Sequence, residues 1–164
     1  MTNDERPSLT IRRATGELAE RLTEIARASK AYWGYPPEWL DAWRDELLVR
    51  EAAIDNGYCY AGWIDNDIVG FYLLEGSGPR RTLEHLWLHP SHIGQGFGSS
   101  LLGHALATAG ADGAREVEIM ADPNAQGFYE RHGAKQIGES VGEVVGQKRV
   151  LPVLLIELRV AGTG

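Results

Sequence analysis

Residues 83–102 read LEHLWLHPSHIGQGFGSSLL. Positions 82–89 form a short run that contains β-branched and aromatic residues, and a proline follows it, which predicts a strand that ends at this proline. The next feature is a loop with three alternate glycines, Gly94, Gly96 and Gly98. Apolar residues at helical spacing then predict a helix over about 98–109. A strand, a glycine loop and a helix therefore follow one another within a short stretch of chain.

The glycine loop has the physical properties of an anion site. Glycine tolerates backbone angles that turn N–H groups outward, and the start of a helix adds a partial positive charge of about half a unit. A phosphate or pyrophosphate is the natural ligand, and a close-packed strand–helix turn is the structural alternative. The dinucleotide fingerprint G-x-G-x-x-G is excluded in both possible registers. If the fingerprint begins at Gly94, its last glycine is replaced by Ser99, and if it begins at Gly96, its last glycine is replaced by Leu101. The chain also lacks the G-x-x-x-x-G-K-S/T motif of NTPases.

Hydrophobic periodicity outside this stretch predicts a mixed sheet covered by helices. We expect further strands over 9–14, 58–64, 68–74, 115–121, 135–139 and 150–160. We expect further helices over 18–29, from 36 to about 56, and over 124–132. No internal repeat or linker interrupts this pattern, so the sequence predicts a single α/β domain over 1–164 with a core at about 9–160.

Composition narrows the class of protein. Hydrophobic residues make up 43% and charged residues 24% of the 164, which excludes a disordered or coiled-coil chain. The net charge of −7 argues against a nucleic-acid partner. Residues 76–111, however, contain two arginines and four histidines but only one acidic side chain, Glu84, so this segment could still bind an anion. The single cysteine, Cys59, excludes a cysteine-based zinc site and favours a cytoplasmic protein, and we expect no metal. The longest apolar stretch, 150–156, is too short to span a bilayer and no secretory signal is evident, so we expect no membrane partner.

Residues 93–98 resemble the acyl-CoA-binding motif of the GNAT superfamily of N-acetyltransferases, whose pattern is Q/R-x-x-G-x-G/A after a strand that ends in a hydrophobic-x-Pro triplet. Ile93 departs from this pattern, because Gln or Arg usually stands there. Residues 117–134 read VEIMADPNAQGFYERHGA and look like the later strand, the Asn-containing loop and the F-Y-x-x-x-G helix of the same family. The resemblance implies a single-domain, GNAT-like α/β fold in which helices flank a mixed, largely antiparallel central sheet.

The same resemblance implies acetyl-CoA as the co-substrate and indicates which residues would bind it. They are Leu86, Trp87, Leu88, Gly94, Gln95, Gly96, Phe97, Gly98, Ser99, Asn124 and Tyr129. It further implies that Asn124 contacts the pantetheine arm, that a backbone N–H near Leu88 stabilises the oxyanion, and that Tyr129 is the general acid. A tyrosine pKa of about 10 keeps such a hydroxyl protonated at neutral pH. Considered alone, Asn124 would be a helix cap and Tyr129 a packing residue.

Glu84 is the leading candidate for the general base that deprotonates the amine. Strand alternation would place Glu84, Leu86 and Leu88 on one face, and Leu83, His85, Trp87 and His89 on the other. His85 is the competing base and Glu118 is a weaker third candidate. The structural alternative for Glu84 is an ion pair with Arg80, Arg81 or a neighbouring strand.

The acceptor must be recognised outside these two motifs, because both serve CoA. Five aromatic residues fall between positions 32 and 43, in a region that borders the acceptor groove of GNAT proteins. Among them we expect Trp33 and Tyr35 to line that groove. Trp39 and Trp43, four residues apart, are expected to form one packed helical face.

Two further features bear on the acceptor. Carboxylates such as Glu38 or Asp41 could attract a cationic amine, although solvated helix charges are the common explanation for such residues. Residues 140–149 contain glycine and look irregular, and they are a second candidate wall of the groove.

The sequence therefore predicts an N-acetyltransferase that moves an acetyl group from acetyl-CoA to a primary amine of a small molecule or a protein by direct attack. The alternative is a non-catalytic acyl-CoA-binding regulatory module, to which the departure at Ile93 gives weight. A nucleotide-binding protein is a third hypothesis, against which the missing fingerprints count. A homodimer is compatible with the sequence.

Overall fold

The structure is a computed structural model and describes residues 8–158. Within that range the strands are β1 Thr10–Arg13, β2 Tyr58–Ile64, β3 Asp67–Glu75, β4 Arg80–Leu88, β5 Glu116–Met120, β6 Lys135–Val144 and β7 Gln147–Glu157. The helices are α1 Ala19–Ala31, α2 Pro37–Ala42, α3 Glu51–Asn56, α4 Phe97–Ala111 and α5 Gln126–Arg131. Short 3-10 turns lie at Gly16–Leu18, Pro90–His92 and Pro123–Ala125. None of these helices is long and apolar enough to cross a bilayer.

The strands form one seven-stranded sheet in the order β1-β2-β3-β4-β5-β7-β6. Every neighbouring pair is antiparallel except β4 and β5, which are parallel. One face of the sheet packs on α4 and α5, and the opposite face packs on the first three helices, so that there are two hydrophobic cores. The expected mixed, largely antiparallel sheet flanked by helices is confirmed.

The parallel pair β4–β5 separates after only three residues. Arg80, Arg81 and Thr82 pair with residues 116–118, and from Leu83 onward the edge of β4 that faces β5 has no partner strand. We call the space between residues 83–88 and the end of β5 the β4–β5 gap. It leaves backbone hydrogen-bonding groups of β4 available to a ligand.

A bulge in β4 changes which side chains share a face. Leu73 of β3 lies opposite His85 and Leu74 lies opposite Leu83, so Glu84 is an extra residue without a partner. As a result Leu83 packs in the same core as Leu86 and Leu88, and not with His85 as simple alternation predicts. The expected alternation is therefore wrong at Leu83 and correct for the residues after the bulge.

Two expected elements differ from the observed ones. The helix expected from 36 to about 56 is two short helices separated by turns and an extended residue at Arg50, and the backbone N–H of Val49 there donates to Thr23 Oγ1 at 3.0 Å instead of to a helical carbonyl. Residues 140–149 are not irregular but belong to the β6–β7 hairpin, whose turn contains Val145 and Gly146 with φ angles of 46° and 76°. The last strand, expected over 150–160, begins at Gln147, and its expected last two residues lie outside the described range.

Candidate active site

The glycine loop follows β4 and contains two residues with left-handed backbone angles. Gly94 and Gly96 have φ angles of 87° and 84°, a region in which other residues are strained. A Cβ atom added to either would meet no other atom within 4 Å, so open space lies in front of the loop. Gly98 has no such angle, and a Cβ there would make ordinary contact with Phe128 at 3.5 Å. The loop therefore requires glycine at two of the three positions.

The start of α4 presents backbone N–H groups to this open space. Gly96 is its N-cap, and the first turn of a helix leaves N–H groups without an intrahelical acceptor. A cleft of about 790 Å³ opens here. It is lined by Leu9, Ile11, Gly94, Gln95, Gly96, Phe97 and Ser100. Ser99 Oγ lies 3.0 Å from His132 Nε2, which joins this helix start to the end of α5. The loop thus fits a phosphate or pyrophosphate group.

The backbone N–H of Leu88 points into the β4–β5 gap. The N–H of His89 donates to Val69 O of β3 at 2.7 Å. Because the N–H groups of successive strand residues point to opposite edges, the Leu88 N–H points toward the edge that β5 leaves uncovered. This donor is available to a developing negative charge in the gap.

Tyr129 of α5 is buried, and its hydroxyl group has no hydrogen-bond partner among residues 8–158. Arg27 Nε is the only side-chain polar atom of these residues that is both fully buried and without a partner, so the Tyr129 oxygen keeps a small exposure. A group bound next to this oxygen could therefore contact it. Burial, and then the nearby charge of Asp122, raise the pKa of Tyr129 above its usual range. The group stays protonated at neutral pH and can donate a proton.

Five polar side chains meet beyond the end of β5. We call them the Asp122 cluster: Lys30, Tyr35, Asp122, Asn124 and Arg149. Asp122 accepts hydrogen bonds at Oδ2 from Lys30 Nζ and from Arg149 Nη2, the latter at 3.3 Å. The Tyr35 hydroxyl lies 2.9 Å from both carboxylate oxygens and accepts from Asn124 Nδ2 and Arg149 Nη2, each at 3.0 Å. The cluster therefore joins α1, the α1–α2 loop, the end of β5 and β7.

Aromatic rings enclose the two cations of the cluster. Lys30 Nζ lies 4.5 Å from the ring centre of Trp43 and 6.0 Å from that of Trp87. The Arg149 guanidinium carbon lies 4.8 Å from the Trp43 centre and 4.9 Å from the Tyr35 centre. Such contacts stabilise a cation and fix the direction of its N–H groups.

Burial and charge pairing set the ionisation of the cluster. Burial lowers the pKa of Lys30, and the hydrogen bond to Asp122 opposes this shift. Burial alone would raise the pKa of Asp122, but the hydrogen bond and charge of Lys30 outweigh it and hold that pKa below its usual value. Burial raises the pKa of Tyr35, so this hydroxyl remains a donor at neutral pH.

The structure separates the two residues expected to line the acceptor groove. Tyr35 belongs to the Asp122 cluster, whereas Trp33 is 43% exposed and, among residues 8–158, Tyr32 is the only aromatic ring that it packs against. Trp39 and Trp43 pack against each other with ring centres 5.7 Å apart, as expected. The rings that surround the cluster are therefore those of the helical pair and of Trp87, and Trp33 lies apart from them.

Asn124 does not act as a helix cap. Asp122 is the cap of the 3-10 turn at Pro123–Ala125, since its carboxylate accepts from the Asn124 N–H at 2.9 Å. The Asn124 side chain donates to Asp122 Oδ1 and to Tyr35. Its carbonyl oxygen has no partner among the described residues, so it is available to a ligand.

Glu84 is exposed and unpaired within the described range. Arg80 pairs with Glu116 at 2.7 Å and more weakly with Glu118, and Arg81 pairs with Asp112 at 2.6 Å, so neither arginine engages Glu84. Partial desolvation and the neighbouring Glu75 carboxylate raise the pKa of Glu84. No three His, Cys, Asp or Glu side chains of residues 8–158 are grouped to hold a metal ion.

His85 is held as a neutral hydrogen-bond acceptor. Its Nδ1 atom accepts from Trp87 Nε1 at 2.9 Å, and burial lowers its pKa to about 4. The neutral ring must then carry its proton on Nε2. No nitrogen remains free to accept a proton, which argues against His85 as the base.

Two members of the Asp122 cluster, Lys30 and Asp122, are not among the site residues expected from the sequence, and Arg149 is expected only as the last residue of the candidate groove wall over 140–149. Lys30 follows Leu22 and Ala26 at helical spacing, so the available signal is a charged residue on the buried stripe of α1. Asp122 carries no such local signal, because hydrogen bonds between distant segments define its role.

Comparisons with known proteins agree with this geometry. The model of the acetyltransferase (GNAT) family matches residues 19–134. A 5-NmdU N-acetyltransferase from Pseudomonas phage PaMx11 is 25% identical over 141 residues, which cover 82% of this chain and 92% of that protein.

Solved structures show the same fold. A GCN5-related N-acetyltransferase from Rhodopseudomonas palustris is 23% identical, with a TM-score of 0.76 and coverage of 94% of this chain and 97% of that one. The PaiA N-acetyltransferase from Thermoplasma acidophilum, solved with coenzyme A, is 22% identical, with a TM-score of 0.67 and coverage of 92% and 99%. The family model spans well over half of the chain, and the chain therefore belongs to the GNAT family of acetyltransferases as an acyl-CoA-dependent N-acyltransferase.

Proposed function

We propose that this enzyme transfers the acetyl group of acetyl-CoA to a primary amine of a small molecule or a protein by direct attack. One observation carries the proposal: the Leu88 N–H at the end of β4 has no strand partner, the anion-binding glycine loop follows it directly in the chain, and the strand across the gap, β5, leads into the helix that carries Tyr129. An oxyanion donor, a proton donor and a phosphate site are the groups that acyl transfer from a CoA thioester requires.

The residues around the gap fit acetyl-CoA. The N–H groups over 94–99 would hold its pyrophosphate, and the free edge of β4 at Leu86, Trp87 and Leu88 would face its pantetheine arm. The free carbonyl oxygen of Asn124 would accept a hydrogen bond from that arm. Ile93 removes one polar side chain that the family pattern supplies, and the loop amides support binding without it. When bound, acetyl-CoA supplies a carbonyl carbon activated by its thioester bond.

We assign the proton transfers to two residues. Tyr129 donates a proton toward the departing sulfur, since its raised pKa keeps the proton in place until negative charge develops there. Glu84 accepts the amine proton through water, because its carboxylate is exposed and unpaired within the described range. The Leu88 N–H stabilises negative charge on the carbonyl oxygen.

The departure at Ile93 supports one alternative, a module that binds acyl-CoA without catalysis. Thiol release from acetyl-CoA, measured with the full chain and a panel of primary amines, separates the two functions. We expect amine-dependent thiol release, with the acetylated amine identified by mass spectrometry. If CoA raises the melting temperature while no amine is acetylated, the regulatory module is supported instead. A cytoplasmic location is part of the proposal, supported by the lone, buried Cys59 thiol.

A further inference from the structure

The Asp122 cluster carries more positive than negative charge. Lys30 and Arg149 contribute two cations and Asp122 contributes one carboxylate, and the side chains of all three are between 10% and 14% exposed. Asp122 already accepts from four side chains and one backbone N–H, so it has little capacity to bind a further cation. The next acidic group that acts on Lys30 is Glu46, which is exposed to solvent.

Arg149 has donors that the protein does not use. Its Nη2 atom serves Tyr35 and Asp122, whereas Nε and Nη1 have no hydrogen-bond partner among residues 8–158. These two atoms are not fully buried, because the only buried, unpartnered side-chain polar atom in that range is Arg27 Nε. The rings of Tyr35 and Trp43 hold the guanidinium in place. Arg149 therefore presents Nε and Nη1 on two different edges of a fixed guanidinium, and each can donate a charge-assisted hydrogen bond to an oxygen of a carboxylate.

The cluster lies at the β4–β5 gap. Asp122 follows the end of β5 by two residues and hydrogen-bonds to Arg149, and Lys30 Nζ lies 6.0 Å from the ring centre of Trp87 in β4. A ligand held by Arg149 is thus near the gap. The carboxylates once expected to attract a cationic amine, Glu38 and Asp41, lie exposed on α2 and offer no comparable buried partner.

We infer that the acceptor is a primary amine that also bears a carboxylate, and that Arg149 binds this carboxylate through its unused N–H groups with Lys30 supplying further positive charge. This inference rests on the proposed function, because it names the acceptor class of that reaction. Binding the carboxylate neutralises the excess charge of the cluster and leaves the amine of the same molecule free to approach the gap. Arg149 is thus a specificity-determining residue.

The inference is tested by assaying the full chain with acetyl-CoA and several sets of matched acceptors. Each set contains an amino acid, its uncharged amide and its decarboxylated amine, for example phenylalanine, phenylalaninamide and phenethylamine. The sets include α-, β- and γ-amino acids. Rates are compared at equal concentrations of the unprotonated amine. We expect kcat/KM for the best carboxylate-bearing acceptor to exceed that of its uncharged partners by about tenfold or more, the size of a charge-assisted hydrogen bond.

Variants of Arg149 locate the effect. Arg149→Gln should raise KM for the carboxylate-bearing acceptor by about tenfold or more relative to any change that the same variant causes with the uncharged amines. Arg149→Lys keeps the positive charge, and it serves as the second variant if Arg149→Gln does not fold. It should retain only part of the preference for carboxylate-bearing acceptors, because lysine lacks the planar set of N–H donors. Arg12→Gln is the matched control, because Arg12 also lies over a tryptophan ring, at 5.5 Å from Trp63, but on the opposite edge strand β1.

Two results would overturn the inference in distinguishable ways. If amides and decarboxylated amines are acetylated as well as the amino acids, the acceptor class is wrong and the proposed acetyl transfer stands. If no amine of any set is acetylated although CoA raises the melting temperature, the proposed function fails and the acceptor class fails with it.

Discussion

Burial controls the protonation of single residues around the β4–β5 gap. It keeps the Tyr129 hydroxyl protonated, it keeps the His85 ring neutral, and it lowers the pKa of Lys30 against the opposing effect of Asp122. Glu84 lies exposed at a bulge, so burial raises its pKa only in part and the neighbouring Glu75 carboxylate adds to the shift. The residues that can release or accept a proton during a reaction are therefore Tyr129 and Glu84.

Replacing Tyr129 by Phe should slow acetyl transfer without weakening CoA binding. The change removes only the hydroxyl that protonates the departing sulfur, and general acid catalysis typically contributes ~10²–10⁴-fold. Steady-state kinetics at saturating acceptor should show the loss in kcat, and titration should show an unchanged Kd for CoA. Tyr58→Phe is the control, since its hydroxyl bonds to Asp112 at 2.7 Å, at the end of α4 remote from the glycine loop. Unchanged turnover where chemistry limits the rate would make Tyr129 a packing residue.

Glu84→Gln should remove an acidic limb from the pH–rate profile. As the base, Glu84 must be ionised, so activity should fall as pH falls through its raised pKa. Deprotonation of the amine also produces a rising limb, but at a much higher pH that tracks the pKa of the acceptor. Profiles with acceptors of different amine pKa identify the fixed limb. A fixed limb that persists in Glu84→Gln and disappears in His85→Gln would assign the base to His85.

His85 should make the folded state less stable below neutral pH. Its pKa is about 4 in the folded chain and about 6.5 when unfolded, so between these values the unfolded chain binds more protons. The free energy of unfolding should therefore fall by about 2 kcal/mol between pH 7 and pH 5 through this group alone. Denaturant unfolding of the wild type and of His85→Gln at both pH values measures the difference. An equal loss in both proteins would show that His85 does not titrate in this way.

Among the elements, the glycine loop depends on backbone conformation at Gly96. Gly96→Val should abolish the rise in melting temperature that CoA induces, because a β-branched residue is strained at a φ of 84° and the loop amides would lose their direction. Gly103→Ala is the control, since Gly103 is exposed within α4, has no positive φ, and an added Cβ there meets nothing within 4 Å. The control should stabilise the helix by about 0.5–1 kcal/mol and keep the full CoA response. A full CoA response in Gly96→Val would refute the assignment of the loop.

Helices and strands that follow from the pattern of neighbouring residues could be predicted from the sequence. Those whose ends depend on contacts between distant segments could not. The strand, loop and helix over 82–109 follow from alternation, three glycines and helical periodicity. Trp43 and Leu47 have helical spacing and are buried, yet they lie in turns after the end of α2, and the backbone N–H of Val49 bonds to the distant Thr23 side chain. The first half of β6 is predicted over 135–139, whereas the glycine-containing stretch after it concealed the continuation of the strand to Val144 and its pairing with β7.

The same distinction applies to the candidate site. The glycine loop and Tyr129 lie in contiguous motifs, so sequence analysis reached them. The Asp122 cluster gathers side chains from positions 30 to 149, and hydrogen bonds between segments as much as 114 residues apart hold it together. Only the folded chain brings Arg149 to Tyr35, and for this reason the recognition of an anionic acceptor had no linear signal.

At the scale of the whole molecule, the net charge of the chain is negative, whereas the charge of the Asp122 cluster is positive. The chain carries −7, yet the Asp122 cluster carries an excess cation in a low-exposure site. Distant exposed charges are screened over about 8–10 Å at physiological ionic strength, whereas partly buried groups in contact are screened far less. The local cations therefore dominate the binding of a small anion, and the overall negative charge does not prevent it.

The two edges of the sheet differ in how well they resist pairing with another chain. The edge strand β1 has four residues, two of them arginines, and short charged edges resist such pairing. The opposite edge is β6, with ten residues, and it exposes Ile137 and Val141 by 49% and 62%. Long edges with exposed apolar side chains favour association, so we predict a homodimer that forms through β6.

Light scattering coupled to size-exclusion chromatography tests this prediction. Val141→Lys places a charge on the exposed edge and should convert the dimer to a monomer. Thr10→Lys adds the same charge to β1 at the other edge and should leave the dimer intact. Because both positions are exposed, each variant should fold with a stability within about 0.5 kcal/mol of the wild type, as denaturant unfolding would verify. A wild-type monomer at all concentrations, or a dimer that only Thr10→Lys disrupts, would contradict assembly through β6.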